Sequence, residues 1–221
     1  MHALFEDRAD AGRLLADQVA ALGLADPVVM TLPRGGAIVG LPVALALHAP
    51  MDLLLAAKIG ARGQPELAVA AIAETDDPAQ PSLVVDDEQV PTQEAFDDLQ
   101  ARVPGALAEL ARRRRAYLHG RARVSVEGRT VVLVDDGIAT GSTVRAALQS
   151  LRRFGPAAIV IAVPVAPAAQ CAELARIVDR VVCLTSPAWF GAVSTFYRHF
   201  EPVDDADVVR ALDEAAALAQ H

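Results

Sequence analysis

The chain has 221 residues, of which 28 are acidic and 20 are basic, so its formal net charge at pH 7 is -8. This acidic balance argues against a general binder of nucleic acids or of anionic membranes. A chain of this length can bury a sizeable core without a disulfide or a metal staple. The two cysteines, Cys171 and Cys183, have neither metal-ligand spacing nor a secretory context, which favours a reducing compartment.

Short apolar runs alternate with longer helical patterns along the sequence. Strands are predicted at 28–32, 51–57, 131–134, 158–163 and 181–184. Helices are predicted at 9–22, 37–48, 92–117, 143–154, 168–178 and about 204–220, the third broken at Pro104. Residues 59–82 are predicted to be a mobile loop with an extended ribbon. The alternation predicts an α/β fold with a doubly wound, mostly parallel sheet and helices on both faces.

The most apolar window, 37–57, does not form a clean membrane span. It is interrupted by four polar or helix-breaking residues: Pro42, His48, Pro50 and Asp52. The first eight residues contain acids where a secretory signal has a basic start and an apolar core. We therefore predict a cytoplasmic protein.

The strongest local signal is the segment 131–143, Val-Val-Leu-Val-Asp-Asp-Gly-Ile-Ala-Thr-Gly-Ser-Thr. Its apolar strand delivers Asp135 and Asp136 to the carboxyl end, where open α/β sheets bind ligands. The turn that follows enters a helix, whose first N–H groups and hydroxyls suit a phosphate. Acids beside a phosphate would repel it unless they bind sugar hydroxyls, so the pattern favours a sugar phosphate. A nucleotide-binding P-loop is a poor match because no Gly-Lys-Ser/Thr follows the turn.

This segment resembles the phosphoribosyl-pyrophosphate (PRPP) binding motif of type I phosphoribosyltransferases. The resemblance implies that Asp135 and Asp136 hold the ribose 2- and 3-hydroxyls. It also implies that the 5-phosphate is wrapped by the residues that follow, Ala139, Thr140, Gly141, Ser142 and Thr143. Purine salvage enzymes of the hypoxanthine–guanine type carry an Asp at the position of Ala139, so this departure argues against that substrate class.

A second candidate anion loop, Pro33-Arg34-Gly35-Gly36, follows the first predicted strand and opens a helix. The two glycines allow a close approach of the backbone to an anion, and Arg34 offers a planar fork of donors. Taken alone, Arg-Gly-Gly is more often an ordinary turn. In type I phosphoribosyltransferases the pyrophosphate loop occupies this place, often with a cis non-proline peptide bond, which the resemblance assigns to Pro33–Arg34.

Lys58 is the only lysine of the chain. It ends the predicted strand 51–57 and is expected at the same carboxyl edge, although a surface lysine at a strand end is the simpler interpretation. A single ammonium kept in an arginine-rich chain favours a specific role, and the resemblance implies a part in pyrophosphate binding. The loop at 61–80 is expected to close over the reaction centre.

Two further segments extend the resemblance. Pro65-Glu66-Leu67-Ala68 and Asp7-Arg8 resemble segments shared by phosphoribosyltransferase-like proteins whose acceptor is not clearly defined. The resemblance therefore covers nearly the whole chain.

The region 186–201 holds more than half of the aromatic residues, including Trp189 and Phe190. Two interpretations stay open: a stacking wall for a flat ligand, or a hydrophobic plug on the core. Type I enzymes build their hood, which forms the base pocket, partly from this region, and this favours the wall. The four arginines at 112–115 point all round a helix, which is more typical of a solvated helix end than of an RNA-binding face.

These observations predict a single phosphoribosyltransferase domain over residues 1–221. Its core is expected at about 24–185, with a helical insertion at about 86–125 and a C-terminal hood and helix at about 186–221. The five histidines are scattered without metal-ligand spacing. A homodimer is expected, with no membrane partner and no nucleic acid.

The resemblance implies transfer of the 5-phosphoribosyl group of PRPP to a nitrogenous acceptor, with release of pyrophosphate. The candidate catalytic residues are Arg34, Lys58, Asp135 and Asp136. Mg²⁺ is the implied cofactor, held through the substrate with Asp135 and Asp136 as candidate ligands. The alternative is a non-enzymatic regulator that senses PRPP or a nucleotide on the same fold. Hydrolysis or phosphorolysis of a related sugar phosphate is a third possibility.

Overall fold

The computed structural model describes residues 4–61, 64–74, 82–85 and 90–218. The strands are β1 (Pro27–Thr31), β2 (Met51–Leu53), β3 (Ala56–Ala61), β4 (Gln64–Ala73), β5 (Ser82–Val85), β6 (Thr130–Val134), β7 (Ala158–Val165) and β8 (Arg180–Thr185). The helices are α1 (Arg8–Ala20), α2 (Gly35–Leu47), α3 (Gln93–Leu118), α4 (Ser142–Arg153), α5 (Ala168–Leu174) and α6 (Asp205–Leu218), with a 3₁₀ turn at Val193–Phe196. The chain divides into two compact units.

The first unit comprises residues 1–53, 121–140 and 155–221. Its sheet has five parallel strands in the order β2-β1-β6-β7-β8 and is flanked by helices. The central strand β6 is a run of β-branched and leucine side chains that are buried from Val131 to Val134, as a parallel strand covered on both faces requires. The predicted α/β fold with a mostly parallel sheet is confirmed.

The second unit comprises residues 54–120 and 141–154. It contains the antiparallel sheet β3-β4-β5 and the helices α3 and α4. Ala71 and Ala73 of β4 pack against Ala146 of α4 in a core of small residues. The single domain with a helical insertion and a C-terminal hood stays a prediction.

The prediction of one strand at 51–57 is wrong. Met51–Leu53 pairs in parallel with β1, whereas Ala56–Ala61 pairs antiparallel with β4 in the other sheet. Asp52 holds the first part in place, because its buried carboxylate accepts hydrogen bonds from Leu53 N (2.7 Å) and Val124 N (2.9 Å). The apolar run 53–57 does not reveal where the chain leaves one sheet for the other.

The predicted loop at 59–82 is largely β-structure among the residues described. The extended ribbon is confirmed, since the whole of Gln64–Ala73 forms β4, but the loop is wrong at 59–61 and 64–66. Residues 62–63 and 75–81 of the predicted loop lie outside the described residues, as does 86–89 of the predicted insertion.

The predicted break at Pro104 is also wrong, because α3 runs without interruption from Gln93 to Leu118. A proline inside a helix removes the hydrogen bond to the carbonyl four residues before it. Here Pro104 and Gln100 are both exposed, so water can satisfy the freed carbonyl. The other helices and strands lie within a few residues of their predicted bounds.

Three arginines of the run at 112–115 pair with acidic side chains. Arg112 and Arg113 donate hydrogen bonds to Glu109 and lower the pKa of that carboxyl to about 2. Arg114 pairs with Glu74 at 3.3 Å.

None of the described helices has both the length and the apolar character that a bilayer span needs.

Candidate functional site

Two adjacent carboxylates lie directly after the central strand β6. The Asp136 amide donates a hydrogen bond to Asp135 Oδ1 at 2.9 Å. The Tyr197 hydroxyl, from the segment after the 3₁₀ turn, donates to the Asp136 carbonyl at 2.6 Å. These contacts fix the backbone at the carboxyl end of the sheet, where the sequence predicts a sugar site.

The Asp136 side chain forms a mostly buried ion pair with Arg8. Arg8 Nε lies 2.7 Å from Asp136 Oδ2, and the two side chains are 11% and 17% exposed. Arg8 also donates from Nη1 to the Glu201 carbonyl at 2.9 Å, and its Cζ lies 3.7 Å from the centre of the Phe200 ring. The first residue of α1 therefore joins the end of β6 to the C-terminal segment.

Burial and the ion pair act in opposite directions on the acid. Burial raises the pKa of Asp136, and the hydrogen bond from Arg8 and its positive charge oppose this rise. Burial also raises the pKa of Tyr197, and the nearby negative charge of Asp136 adds to the effect. Tyr197 therefore keeps its proton and stays a hydrogen-bond donor to the end of β6.

The loop between β1 and α2 packs tightly against these carboxylates. A Cβ on Gly35 would lie 2.5 Å from Asp136 Cγ and 2.8 Å from Arg8 Nε, and one on Gly36 would lie 2.9 Å from the Val134 carbonyl oxygen. Only glycine leaves room for this approach. The Pro33–Arg34 peptide bond is cis, as the resemblance indicates. The structure thus brings the Gly35–Gly36 turn and the two acids together at neighbouring strand ends.

Arg34 occupies the N-cap position of α2, but its side chain does not cap that helix. Its Nε lies 3.0 Å from Asp205 Oδ1 at the start of α6, and its Nη1 donates to the Val203 carbonyl at 3.3 Å. The paired side chains are 44% and 39% exposed. Because exposed ion pairs contribute about 0–1 kcal/mol, a ligand anion can replace Asp205 at low cost.

The turn after the two acids is anchored at Ile138. Its side chain is buried, and its amide donates to the Val165 carbonyl at 2.9 Å. Ala139 and Thr140 are exposed. Gly141, with φ +77°, precedes α4, which begins at Ser142 and carries Thr143 in its first turn.

Lys58 is not at the end of a parallel strand, contrary to the prediction. It lies inside β3, opposite Ala71 of β4, and its side chain is exposed. The prediction failed because it rested on the single strand 51–57. A role for its ammonium in binding stays a proposal.

The C-terminal aromatics divide into two groups. Phe196 and Tyr197 are buried in a cluster with Phe5, and Phe190 packs against it with its ring centre 5.3 Å from that of Phe196. Phe190 therefore fits the plug interpretation. The Trp189 side chain is 65% exposed and is the candidate that remains for a stacking surface.

Residues 4–201 match the sequence model of the phosphoribosyl transferase domain. The chain belongs to the type I phosphoribosyltransferase family. It is 43% identical over 216 residues to two proteins provisionally named phosphoribosyl transferases, from two strains of Mycobacterium tuberculosis. The match covers 96% of this chain and 47% of each relative, so the chain spans about half of their length.

A solved structure is also similar over almost its full length. The crystal structure of TT1426 from Thermus thermophilus superposes with a TM-score of 0.77 at 38% identity, covering 94% of this chain and 97% of that one. This likeness supports the α/β fold described above.

The donors present suit Mg²⁺ only in part. Across the ranges that the structure describes, no three His, Cys, Asp or Glu side chains converge on a metal position. Mg²⁺ is commonly held by one or two carboxylates together with substrate oxygens. Asp135 and Asp136 fit that pattern, with one oxygen of Asp136 already bound to Arg8.

Sequence reasoning missed the contacts that Arg8 and Tyr197 make at this candidate site. Arg8 lies 128 residues from Asp136, and Tyr197 lies 61 residues away, so no local spacing relates them. The only signal was the pair Asp7-Arg8, where Asp7 caps α1 by accepting from Asp10 N. That pattern predicts a helix start, but it does not predict a partner for Arg8.

Proposed function

We propose that this protein transfers the 5-phosphoribosyl group of PRPP to a nitrogen acceptor and releases pyrophosphate. In this reaction the acceptor nitrogen lone pair forms a bond to C1 of the ribose while the C1–O bond to pyrophosphate breaks. The acceptor then loses its proton to solvent.

One observation carries the proposal. Two carboxylates at the end of β6 pack directly on the Gly35–Gly36 turn at the end of the neighbouring strand β1. Carboxylates accept hydrogen bonds from sugar hydroxyls, and a glycine turn at a helix start binds anions. A ribose with a pyrophosphate at C1 presents both kinds of group at adjacent positions.

Each loop then has a defined part. Asp135 and Asp136 bind the ribose 2- and 3-hydroxyls, and the residues at 139–143 bind the 5-phosphate. Gly35, Gly36 and Arg34 bind the pyrophosphate, with Arg34 exchanging Asp205 for the ligand. The family's implied Mg²⁺ would add positive charge beside the departing pyrophosphate, with Asp135 and Asp136 as its protein ligands.

The protein's main contribution to the rate is electrostatic. Positive charge develops on the ribose as the C1–O bond breaks, and the carboxylates at the end of β6 stabilise it. Donors at the start of α2 and the guanidinium of Arg34 stabilise the negative charge on the leaving group. No covalent intermediate is required. The acceptor is a flat nitrogenous base, for which Trp189 offers an exposed ring.

The test is to incubate the protein with PRPP, Mg²⁺ and a panel of purine and pyrimidine bases, and to follow pyrophosphate release. We expect base-dependent release by the wild-type protein and a loss of at least about 100-fold in Asp136→Asn. Tight PRPP binding that is lost in Asp136→Asn, without release for any base, would favour the sensor instead. Failure of the wild-type protein to bind PRPP would overturn both.

Lys58→Arg tests the proposed part of the lone ammonium. A guanidinium keeps the charge but is larger and planar, so it does not reproduce a compact point contact. We expect a fall of about tenfold in kcat for pyrophosphate release. Arg13→Lys, which changes a side chain that is 66% exposed, is the matched control and should leave kcat unchanged. An unaltered rate in Lys58→Arg would assign Lys58 to the surface.

A further inference from the structure

The Arg8 side chain makes three contacts with two parts of the first unit, the end of β6 and the C-terminal segment. Its Nε binds Asp136, its Nη1 binds the Glu201 carbonyl, and its guanidinium lies over the Phe200 ring. A guanidinium fixed by a carboxylate, a carbonyl and an aromatic face has one orientation rather than many. At 11% exposure it is mostly withdrawn from solvent, so these contacts replace its hydration.

The same ion pair supports the loop at the start of α2. The space beside the Gly35 Cα is filled by Asp136 and Arg8, as the near contacts of a hypothetical Cβ show. A movement of the Asp136 carboxylate toward Gly35 would therefore require this loop to move, because the space between them does not hold even a Cβ atom. Arg8 thus bears on both proposed binding loops without belonging to either.

The charge of Arg8 has a further consequence for an anionic ligand. Asp135 and Asp136 are neighbours in sequence, and two adjacent negative charges repel a phosphate that approaches them. The Arg8 guanidinium, 2.7 Å from Asp136, offsets one of these charges at short range. It leaves the second oxygen of Asp136 as an acceptor for a hydroxyl.

We propose that Arg8 is a positioning residue for Asp136, which it holds in the orientation that accepts a ribose hydroxyl of PRPP. This inference rests on the proposed function, since it names how the proposed ribose clamp is fixed. In this proposal Arg8 acts through Asp136 and not on the reacting atoms themselves.

The test is isothermal titration of PRPP with Mg²⁺ into the wild-type protein, Arg8→Gln and Arg8→Lys, below the melting temperature of each. A charge-assisted hydrogen bond contributes about 1.5–3 kcal/mol, so Arg8→Gln should weaken PRPP binding about 10- to 100-fold. Arg8→Lys keeps the charge but not the three contacts, so it should lose less, yet at least about threefold. Arg198→Gln removes a 66%-exposed arginine of the same C-terminal segment, paired with Glu6, and should bind as the wild type does.

A second measurement separates positioning from a general structural effect. In an Asp136→Asn background, Arg8→Gln should change PRPP affinity by less than about twofold, because the two residues act as one unit. Equal losses in both backgrounds would overturn the inference. Arg8→Gln or, if that variant does not fold, Arg8→Lys with wild-type affinity would overturn it as well, with the proposed function intact. Absence of PRPP binding to the wild-type protein would overturn the proposed function first, and this inference with it.

Discussion

Gly35→Ala should reduce PRPP affinity by about 100-fold or more, a loss typical of a site displaced by about 1 Å. The added methyl group would lie 2.5 Å from Asp136 Cγ and 2.8 Å from Arg8 Nε, so either the loop or the ion pair must move. Either movement changes the position of the Gly35–Gly36 turn relative to the carboxylates of Asp135 and Asp136, which together form the proposed site. Titration calorimetry with PRPP and Mg²⁺ measures the affinity, and urea unfolding measures the stability cost, expected at about 1–3 kcal/mol.

The matched control is Gly105→Ala in the exposed middle of α3. A Cβ at Gly105 would have no heavy atom within 4 Å, so the change adds a methyl group without a clash. It should leave PRPP affinity unchanged and stabilise the helix by about 0.5–1 kcal/mol. Wild-type affinity in Gly35→Ala would show that the loop does not bind the ligand through its close approach to Asp136.

Asp136→Ala should lower the free energy of unfolding by about 3 kcal/mol, because it leaves the Arg8 guanidinium mostly buried without its counter-charge. The burial is the decisive quantity: the two side chains are 11% and 17% exposed. The double replacement Arg8→Met with Asp136→Leu removes both charges and should recover stability to within about 1 kcal/mol of the wild type. Urea unfolding of the three proteins measures these differences.

An exposed ion pair in the same unit provides the comparison. Arg129 binds Asp26 at 2.6 Å, but Asp26 is 68% exposed, so Asp26→Ala should cost less than about 1 kcal/mol. Equal losses of unfolding free energy for Asp26→Ala and Asp136→Ala would contradict the expectation that burial makes the loss of the Arg8–Asp136 pair more costly. The double replacement should still fail to bind PRPP, which separates the stability of the fold from the chemistry of the site.

The segment around β6 could be predicted because its information is local. Four apolar residues, two acids and a Gly-rich turn follow one another, and each has a physical meaning at its own position. The turn at Gly35 was predictable for the same reason. Their proximity then followed from the parallel pairing of strands, which places both carboxyl ends at one edge.

The rest of the site depends on contacts that no local pattern encodes. The Arg8–Asp136 ion pair and the Tyr197–Asp136 hydrogen bond join distant parts of the chain. The chain leaves the parallel sheet after Leu53 and enters the antiparallel sheet at Ala56, so Lys58 lies in the antiparallel sheet. The spacing of apolar residues indicates the type of secondary structure and which side chains are buried. It does not identify the sheet to which a strand belongs.

The crystal structure of the protein with PRPP and Mg²⁺ would test the central claim most directly. The proposed function predicts ribose hydroxyl oxygens within hydrogen-bond distance of the Asp135 and Asp136 carboxylates, and the pyrophosphate against the Gly35–Gly36 turn. It also predicts that the Arg8–Asp136 ion pair persists in the complex. PRPP bound elsewhere, or no bound PRPP in crystals soaked at a concentration far above cellular levels, would contradict it.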